Sequence, residues 1–293
     1  MFNFRLLIRV ARPLYLLFAA LTFVLGSGMA HYLGSPLQPA TFALGLGISL
    51  LLQMSAFFLA EYFHLPLLPL AKLETARQRE QVRALLLQVS AAALVLATAG
   101  TIILLHARLL PLPAGVLLVL IFVCLMAFAV PPLSLSDAGY GELVLAVYFA
   151  TLLPAFSFLL QNGGYHRLLA MTTFPLTLLA LAYLLILDFP TFAADQKVER
   201  KTLLTRMTWQ AAIPLHHILV LAAYLLFAAA PFFGFPWGLV WPVFLGMPFA
   251  AIQVIWLQRI ARGGRTYWTF LTSLAAAVFG LTAYLLALTY WIR

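Results

Sequence analysis

Acidic residues are what this chain has least of. Eight Asp and Glu side chains, three Asp and five Glu, serve 293 residues and face 17 Lys and Arg. Charged residues of both signs make up 9% of the sequence, while 65% is hydrophobic. A soluble domain of this size needs far more polar side chain to cover its surface, so the composition excludes one. The single cysteine, Cys124, lies inside an apolar run, which excludes a disulfide framework and a cysteine metal cluster. Low-complexity tracts, long linkers and any polar stretch long enough for a second domain are also missing. One transmembrane domain over 1–293 is therefore expected.

What is abundant is apolar sequence. Nine runs are long enough to cross a bilayer, near 13–33, 40–63, 84–105, 110–132, 141–161, 168–188, 211–233, 237–258 and 267–290. Their breaks carry turn residues, as at Gly34-Ser35-Pro36, Pro131-Pro132, Gly163-Gly164 and Gly263-Gly264. The fold class this predicts is all-α, a polytopic membrane bundle of about nine transmembrane helices. The run after Met1 continues to about Leu33 without a cleavage site, so it reads as a retained first span.

Charge placement supports the count. With a cytoplasmic N-terminus and alternating sides, the inner segments collect Arg5, Arg9 and Arg12; Lys72, Arg77, Arg79 and Arg83; Lys197, Arg200, Lys201 and Arg206; and Arg259, Arg262 and Arg265. Only Arg108, Arg167 and Arg293 fall outside, which is the bias that the positive-inside rule describes. An eight-span arrangement would scramble it. The expected placement is a bacterial-type inner membrane, N-terminus in the cytoplasm and C-terminus outside. The net charge of +9 is then a topology signal rather than a nucleic-acid one, and it also suits anionic lipid or a diphosphate headgroup.

Two inner loops, about 64–83 and 189–210, are long and charged and suggest a faint pseudo-repeat with a site between them. The second reads Asp188-Phe-Pro-Thr191-Phe-Ala-Ala-Asp195-Gln-Lys197-Val-Glu199-Arg200-Lys201-Thr202-Leu203. Carboxylates where a membrane helix meets water mark a functional site by default. Asp188 and Asp195 stand seven residues apart, which puts them on one face if the helix continues. Such acids followed by bases suit Mg²⁺ and the phosphates it neutralises; an ordinary solvated helix end fits the same spacing.

This loop resembles the second aspartate motif of the UbiA family of intramembrane prenyltransferases. That motif runs Asp-x-x-Asp-x-x-x-Asp-x-x-x-Gly-Lys-x-Thr-Leu. The chain keeps Asp188, Asp195 and Thr202-Leu203, with Thr191 at the middle acid and Glu199-Arg200 at the Gly-Lys. Gly139-Tyr-Gly141-Glu142 is further similar to a segment of the polyprenyltransferases that act on 1,4-dihydroxy-2-naphthoate in menaquinone synthesis. In the first motif, Asn-Asp-x-x-Asp-x-x-x-Asp, the chain offers Ala60, Glu61, His64 and Leu68, one carboxylate of three.

The resemblance implies nine helices, acidic motifs facing the cytoplasm, and transfer of an isoprenyl group from a diphosphate donor to an aromatic acceptor, a quinone precursor or pigment. Asp188 and Asp195 would be catalytic. Glu61, Asp188, Asp195 and Glu199 would hold Mg²⁺, enough acid for one ion rather than two. Arg77, Arg200 and Lys201 would bind the diphosphate. His64 and Glu142 would border the acceptor pocket, although Glu142 serves equally as a hydrogen-bond partner within the bundle. Asp137 and Glu142 belong to a different loop and span and are left out of the metal set. A decayed first motif leaves a second function open: a non-catalytic relative that binds quinone, carotenoid or chlorophyll-type pigment, or assembles within a larger membrane complex. Membrane lipid is a partner in either case, and nucleic acid in neither.

Other features are weaker. His216-His217 are adjacent on a helix and point to different faces, so they do not make a two-ligand site. Trp237, Trp241, Trp268 and Trp291 sit near span ends and read as interface anchors. A central Gly/Pro break matched in both halves, expected of a secondary transporter, is lacking.

Overall fold

The computed structural model describes residues 4–65, 76–197 and 200–293, with side chains from residue 7 onward. Lys72, Glu74 and Glu199 lie outside the described residues. Among those described, nine helices are long and apolar enough to cross a membrane: Leu7–Tyr32, Pro39–His64, Ala76–His106, Leu112–Ala129, Gly141–Asn162, Arg167–Asp188, Trp209–Phe233, Trp237–Ala261 and Trp268–Ile292. They are called spans one to nine below. Extended structure among the described residues is limited to one isolated parallel bridge, Ala138 to Lys201.

The expected boundaries hold to within a few residues in most spans, with two informative departures. Span three starts at Ala76, not near 84, so the stretch from Arg77 to Arg83 is helix and not loop. Ala, Arg, Gln and Glu are strong helix formers and carry the helix beyond the apolar run. Glu80 and Arg83 pair across one turn at 3.1 Å, and the Arg83 guanidinium lies 4.5 Å from the Tyr62 ring centre, tying this extension to the end of span two. Span one begins with a short helix, Phe4–Ala11, that turns at Arg12 (φ 48°) before Pro13 opens the main helix. Proline suits that first helical position because its missing N–H has no partner to lose.

Span five is the axis of the bundle: 83% of its apolar window is buried, against 28% and 33% for spans three and four. The latter two turn apolar faces outward, as lipid-facing helices must. Spans one and five pack along their length, as do one and nine, and six and seven. Close approach of one and five depends on Gly26, where an added Cβ would collide with the Pro154 carbonyl. Span five widens into a π-turn at Tyr148–Leu152, from which the Tyr148 hydroxyl donates to the Ser49 carbonyl of span two at 3.2 Å. Span eight is a short helix, a 3-10 segment at Trp241–Gly246 and a longer helix from Met247. Trp291 does more than mark an interface, since its Nε1 donates to Val24 O at 3.1 Å and its ring stacks on His31.

Candidate functional site

Span six ends at Asp188 because Pro190 lacks the N–H that another turn would require. The condition for a shared face, a helix continuing through Asp195, is therefore not met. The chain turns at Phe189 to Thr191 and restarts as a short helix, Phe192–Lys197. Thr191 organises that restart. Its hydroxyl donates to Asp195 Oδ2 at 2.7 Å, and its carbonyl accepts from the Asp195 N–H at 2.8 Å. Asp195 Oδ1 lies 3.7 Å from Arg200 Nη1, and the Asp195 carbonyl accepts from the Arg200 N–H at 2.9 Å. The Asp195 side chain is only 8% exposed. Asp188 and Asp195 thus do not share a helical face; the second is folded back into its own loop.

Thr202 then caps the five-residue helix Leu203–Met207 through a reciprocal pair of bonds with Thr205. This turn clamps the loop before span five. Arg206 donates to the Tyr140 hydroxyl at 2.8 Å and lies over its ring at 4.3 Å. Gly139 (φ 79°) gives the room, because a Cβ there would meet the Arg206 side chain 2.7 Å away. The Leu203 N–H donates to Glu142 Oε2 at 3.2 Å, so one oxygen of the half-buried Glu142 is satisfied by the capped turn.

These restraints define a cleft of about 480 Å³ at the end of the bundle where spans two and six finish and spans one and five begin. Glu61 and His64 of span two, Asp137 and Glu142 around the start of span five, and Asp188 and Thr191 after span six line it together. Arg9, Arg12 and Arg200 supply its positive charge. The Arg12 guanidinium lies 5.4 Å from the Tyr15 ring centre and 5.5 Å from that of Phe57. The deeper wall is apolar, from Phe57, Phe128, Leu145 and Leu184. His64 Nδ1 stands 3.0 Å from Asp137 Oδ1, linking span two to the loop before span five.

Asp188 and Glu142 line the same cleft near enough for their charges to act on each other, and Asp188 Oδ2 is buried without a hydrogen-bond partner. Neighbouring carboxylates of this kind are eased by a proton or a cation between them. Among the described residues, no group of three or more His, Cys, Asp and Glu side chains is arranged to hold a metal unaided. Mg²⁺ does not need such a cage: it binds through one or two carboxylates, several waters and substrate phosphates. The Asp188–Glu142 pair fits that donor set.

Of the residues singled out in the sequence, Glu61, His64, Glu142, Asp188 and Arg200 line this one cleft. Asp195 stands behind it, bonded to Thr191 and Arg200. Lys201 is exposed in a separate shallow basin with Gln196, Thr205 and Arg206. Arg77 is exposed on the extension of span three and is not part of the cleft lining. Glu199 lies outside the described residues. The structure adds Arg9, Arg12 and Asp137. The two arginines were visible in the sequence only as topology signals, and Asp137 only as an acid in another loop.

No family model and no curated protein matches the sequence. The fold, however, is that of solved UbiA-type proteins. A digeranylgeranylglyceryl phosphate synthase of membranes superposes with a TM-score of 0.62 at 11% identity, covering 100% of each chain. A UbiA homolog from Archaeoglobus fulgidus, bound to GPP and Mg²⁺, superposes with a TM-score of 0.62 at 14% identity, covering 96% of this chain and 99% of its own. The protein is an integral membrane protein with a UbiA-type all-α fold.

Proposed function

We propose that this protein is a UbiA-type prenyltransferase, a single transmembrane unit that moves an isoprenyl group from a diphosphate donor to an aromatic acceptor. The observation that carries this reading is the composition of the cleft. Paired carboxylates and three arginines sit at its rim, above an apolar wall, which suits a headgroup of negative charge attached to a hydrocarbon tail. Of the two structural neighbours, one is a digeranylgeranylglyceryl phosphate synthase and the other a UbiA homolog bound to GPP and Mg²⁺, which supports a diphosphate donor here.

In this reading Asp188 and Glu142 would hold one Mg²⁺, which when bound would offset the charge that develops on the departing diphosphate oxygens. Arg9, Arg12 and Arg200 add charge-assisted donors to the same oxygens. The donor's C1–O bond breaks with its electron pair leaving on diphosphate, an acceptor ring carbon forms the new C–C bond, and a ring proton is released. Phe57, Phe128, Leu145 and Leu184 exclude water from the allylic carbon while this happens. The His64–Asp137 pair would border the acceptor, and Glu61 would support the metal from span two. Asp195 acts as a positioning residue, holding Arg200 towards the cleft. The cleft opens to the cytoplasm of a bacterial-type inner membrane, in line with the bias of basic residues, and the C-terminus lies outside.

A second reading draws on one specific observation. Asp195 is committed to Thr191 and Arg200, so the metal has fewer carboxylates than the resemblance implies. A cleft so depleted suits a subunit that binds quinone, carotenoid or chlorophyll-type pigment without turnover. Purified protein given radiolabelled geranylgeranyl diphosphate, Mg²⁺ and a panel of aromatic acceptors separates the two. Labelled product that disappears in Asp188→Asn is expected; no product with any acceptor, together with a co-purifying pigment or quinone, overturns the enzymatic reading.

A further inference from the structure

A second cavity of about 880 Å³ opens on the side of the bundle between spans seven and eight. It lies at the same end of the helices as the first cleft, where span seven begins and span eight finishes. Its lining divides into two zones. Arg259 and Arg262 stand exposed at the finish of span eight, and Val254 and Ile255 lead down the helix, with Ile255 65% exposed on the outer face. His217 of span seven sits between them, with its Nε2 buried and without a hydrogen-bond partner.

Basic residues at a helix C-terminus also complement the helix dipole, and that alone would make no site. Here, however, three of the last four carbonyls are already satisfied. The N–H groups of Arg262, Gly263 and Gly264 donate to Gln258, Ile260 and Arg259 at 3.2, 3.0 and 3.0 Å. Among the described residues, no carboxylate pairs with Arg259 or Arg262. The chain has only eight acids, and none of those described lines this cavity. The Arg259 guanidinium lies 5.7 Å from the Trp256 ring centre, and an aromatic ring of this kind favours the water–lipid boundary. Two cations without a counter-ion, above an aliphatic wall open to lipid and beside an unsatisfied imidazole nitrogen, call for an amphiphile. Its anionic head would sit at the boundary and its acyl chain below.

We propose that the groove between spans seven and eight binds an anionic phospholipid, with its phosphate on Arg259 and Arg262 and its glycerol ester oxygens within reach of His217. Basic pockets between transmembrane helices on the cytoplasmic side recognise such headgroups. The site is separate from the cleft at Asp188 and shares no lining residue with it.

Native mass spectrometry and thermal unfolding of the purified full chain, titrated in detergent with phosphatidylglycerol, phosphatidylcholine or inorganic phosphate, test this. Two cations facing one headgroup should favour phosphatidylglycerol over phosphatidylcholine by about tenfold or more. That preference should vanish in Arg259→Gln/Arg262→Gln and persist in Arg265→Gln, which removes a nearby charge that does not line the groove. Arg262→Gln alone, at an exposed residue past the last helical turn, should reduce it and keeps the test open if the double variant fails to fold. The proposal is overturned if the two lipids bind alike, if Arg265→Gln loses as much preference as the groove variants, or if inorganic phosphate alone protects as well as phosphatidylglycerol.

Discussion

Thr191 donates a 2.7 Å hydrogen bond to the Asp195 carboxylate, and the other oxygen of that carboxylate lies 3.7 Å from Arg200. Thr191 occupies the place of the middle acid in the motif it resembles. A hydroxyl there does what an acid would not: it donates to Asp195, closes the short helix on itself and leaves Asp188 and Glu142, with Glu61 and Asp137, as the acids of the cleft.

Two substitutions at Thr191 should therefore differ in kind. Thr191→Val removes a donor to a charged acceptor and should cost about 1–3 kcal/mol, read as a lower unfolding temperature without Mg²⁺ dependence. Thr191→Asp places a second carboxylate against Asp195, and like charges at this distance repel. Its unfolding temperature should fall further and recover in millimolar Mg²⁺. Equal effects of the two variants, insensitive to Mg²⁺, would contradict this account of the loop.

Arg12 combines a left-handed backbone with a guanidinium held beside Tyr15 and Phe57 in the cleft. Arg12→Gln should raise the Kd for an isoprenyl diphosphate about tenfold, and the loss should shrink as salt rises, since the contact is charge-assisted. Arg12→Lys should restore only part of the affinity, because a point charge lacks the planar fork and stacks poorly on the rings. Full rescue by Lys would show that net charge alone matters there.

The buried His216 Nε2 meets Gln253 Nε2 at 2.8 Å across spans seven and eight. Either single change, His216→Leu or Gln253→Leu, strands a buried polar partner and should cost about 1–3 kcal/mol. His216→Leu/Gln253→Leu together should cost less than the sum, because no partner is then stranded. Additive losses in thermal unfolding would mean that the pair is not coupled.

Much of the fold was legible because the bilayer imposes a length and a composition on each span. Basic residues then fixed the number of spans through their side preference. The extension of span three was missed because Arg77 to Arg83 reads as polar loop by hydropathy, while its helix propensity reads otherwise. The cleft was legible in half. Asp188, Glu61, His64 and Arg200 stood out as charges beside apolar runs, and the structure brings them together. Asp137 and Glu142 were left out of the metal set because sequence distance hides the packing of span five against span six. The seven-residue spacing of Asp188 and Asp195 left a shared face conditional on a continuing helix, and Pro190 decides against it. Arg9 and Arg12 served the topology argument, and no sequence pattern distinguishes a topogenic arginine from one that turns into a cleft.

The most direct measurement is the affinity of geranylgeranyl diphosphate for the purified protein, with and without Mg²⁺, in the wild type, Asp188→Asn, Glu142→Gln and the double variant. The wild type should bind at least about tenfold more tightly with Mg²⁺, each single variant should lose most of that gain, and the double should lose little more, as expected of two ligands to one ion. Binding that is indifferent to Mg²⁺, or a gain that survives in Asp188→Asn/Glu142→Gln, would contradict a Mg²⁺–diphosphate site built on this carboxyl pair.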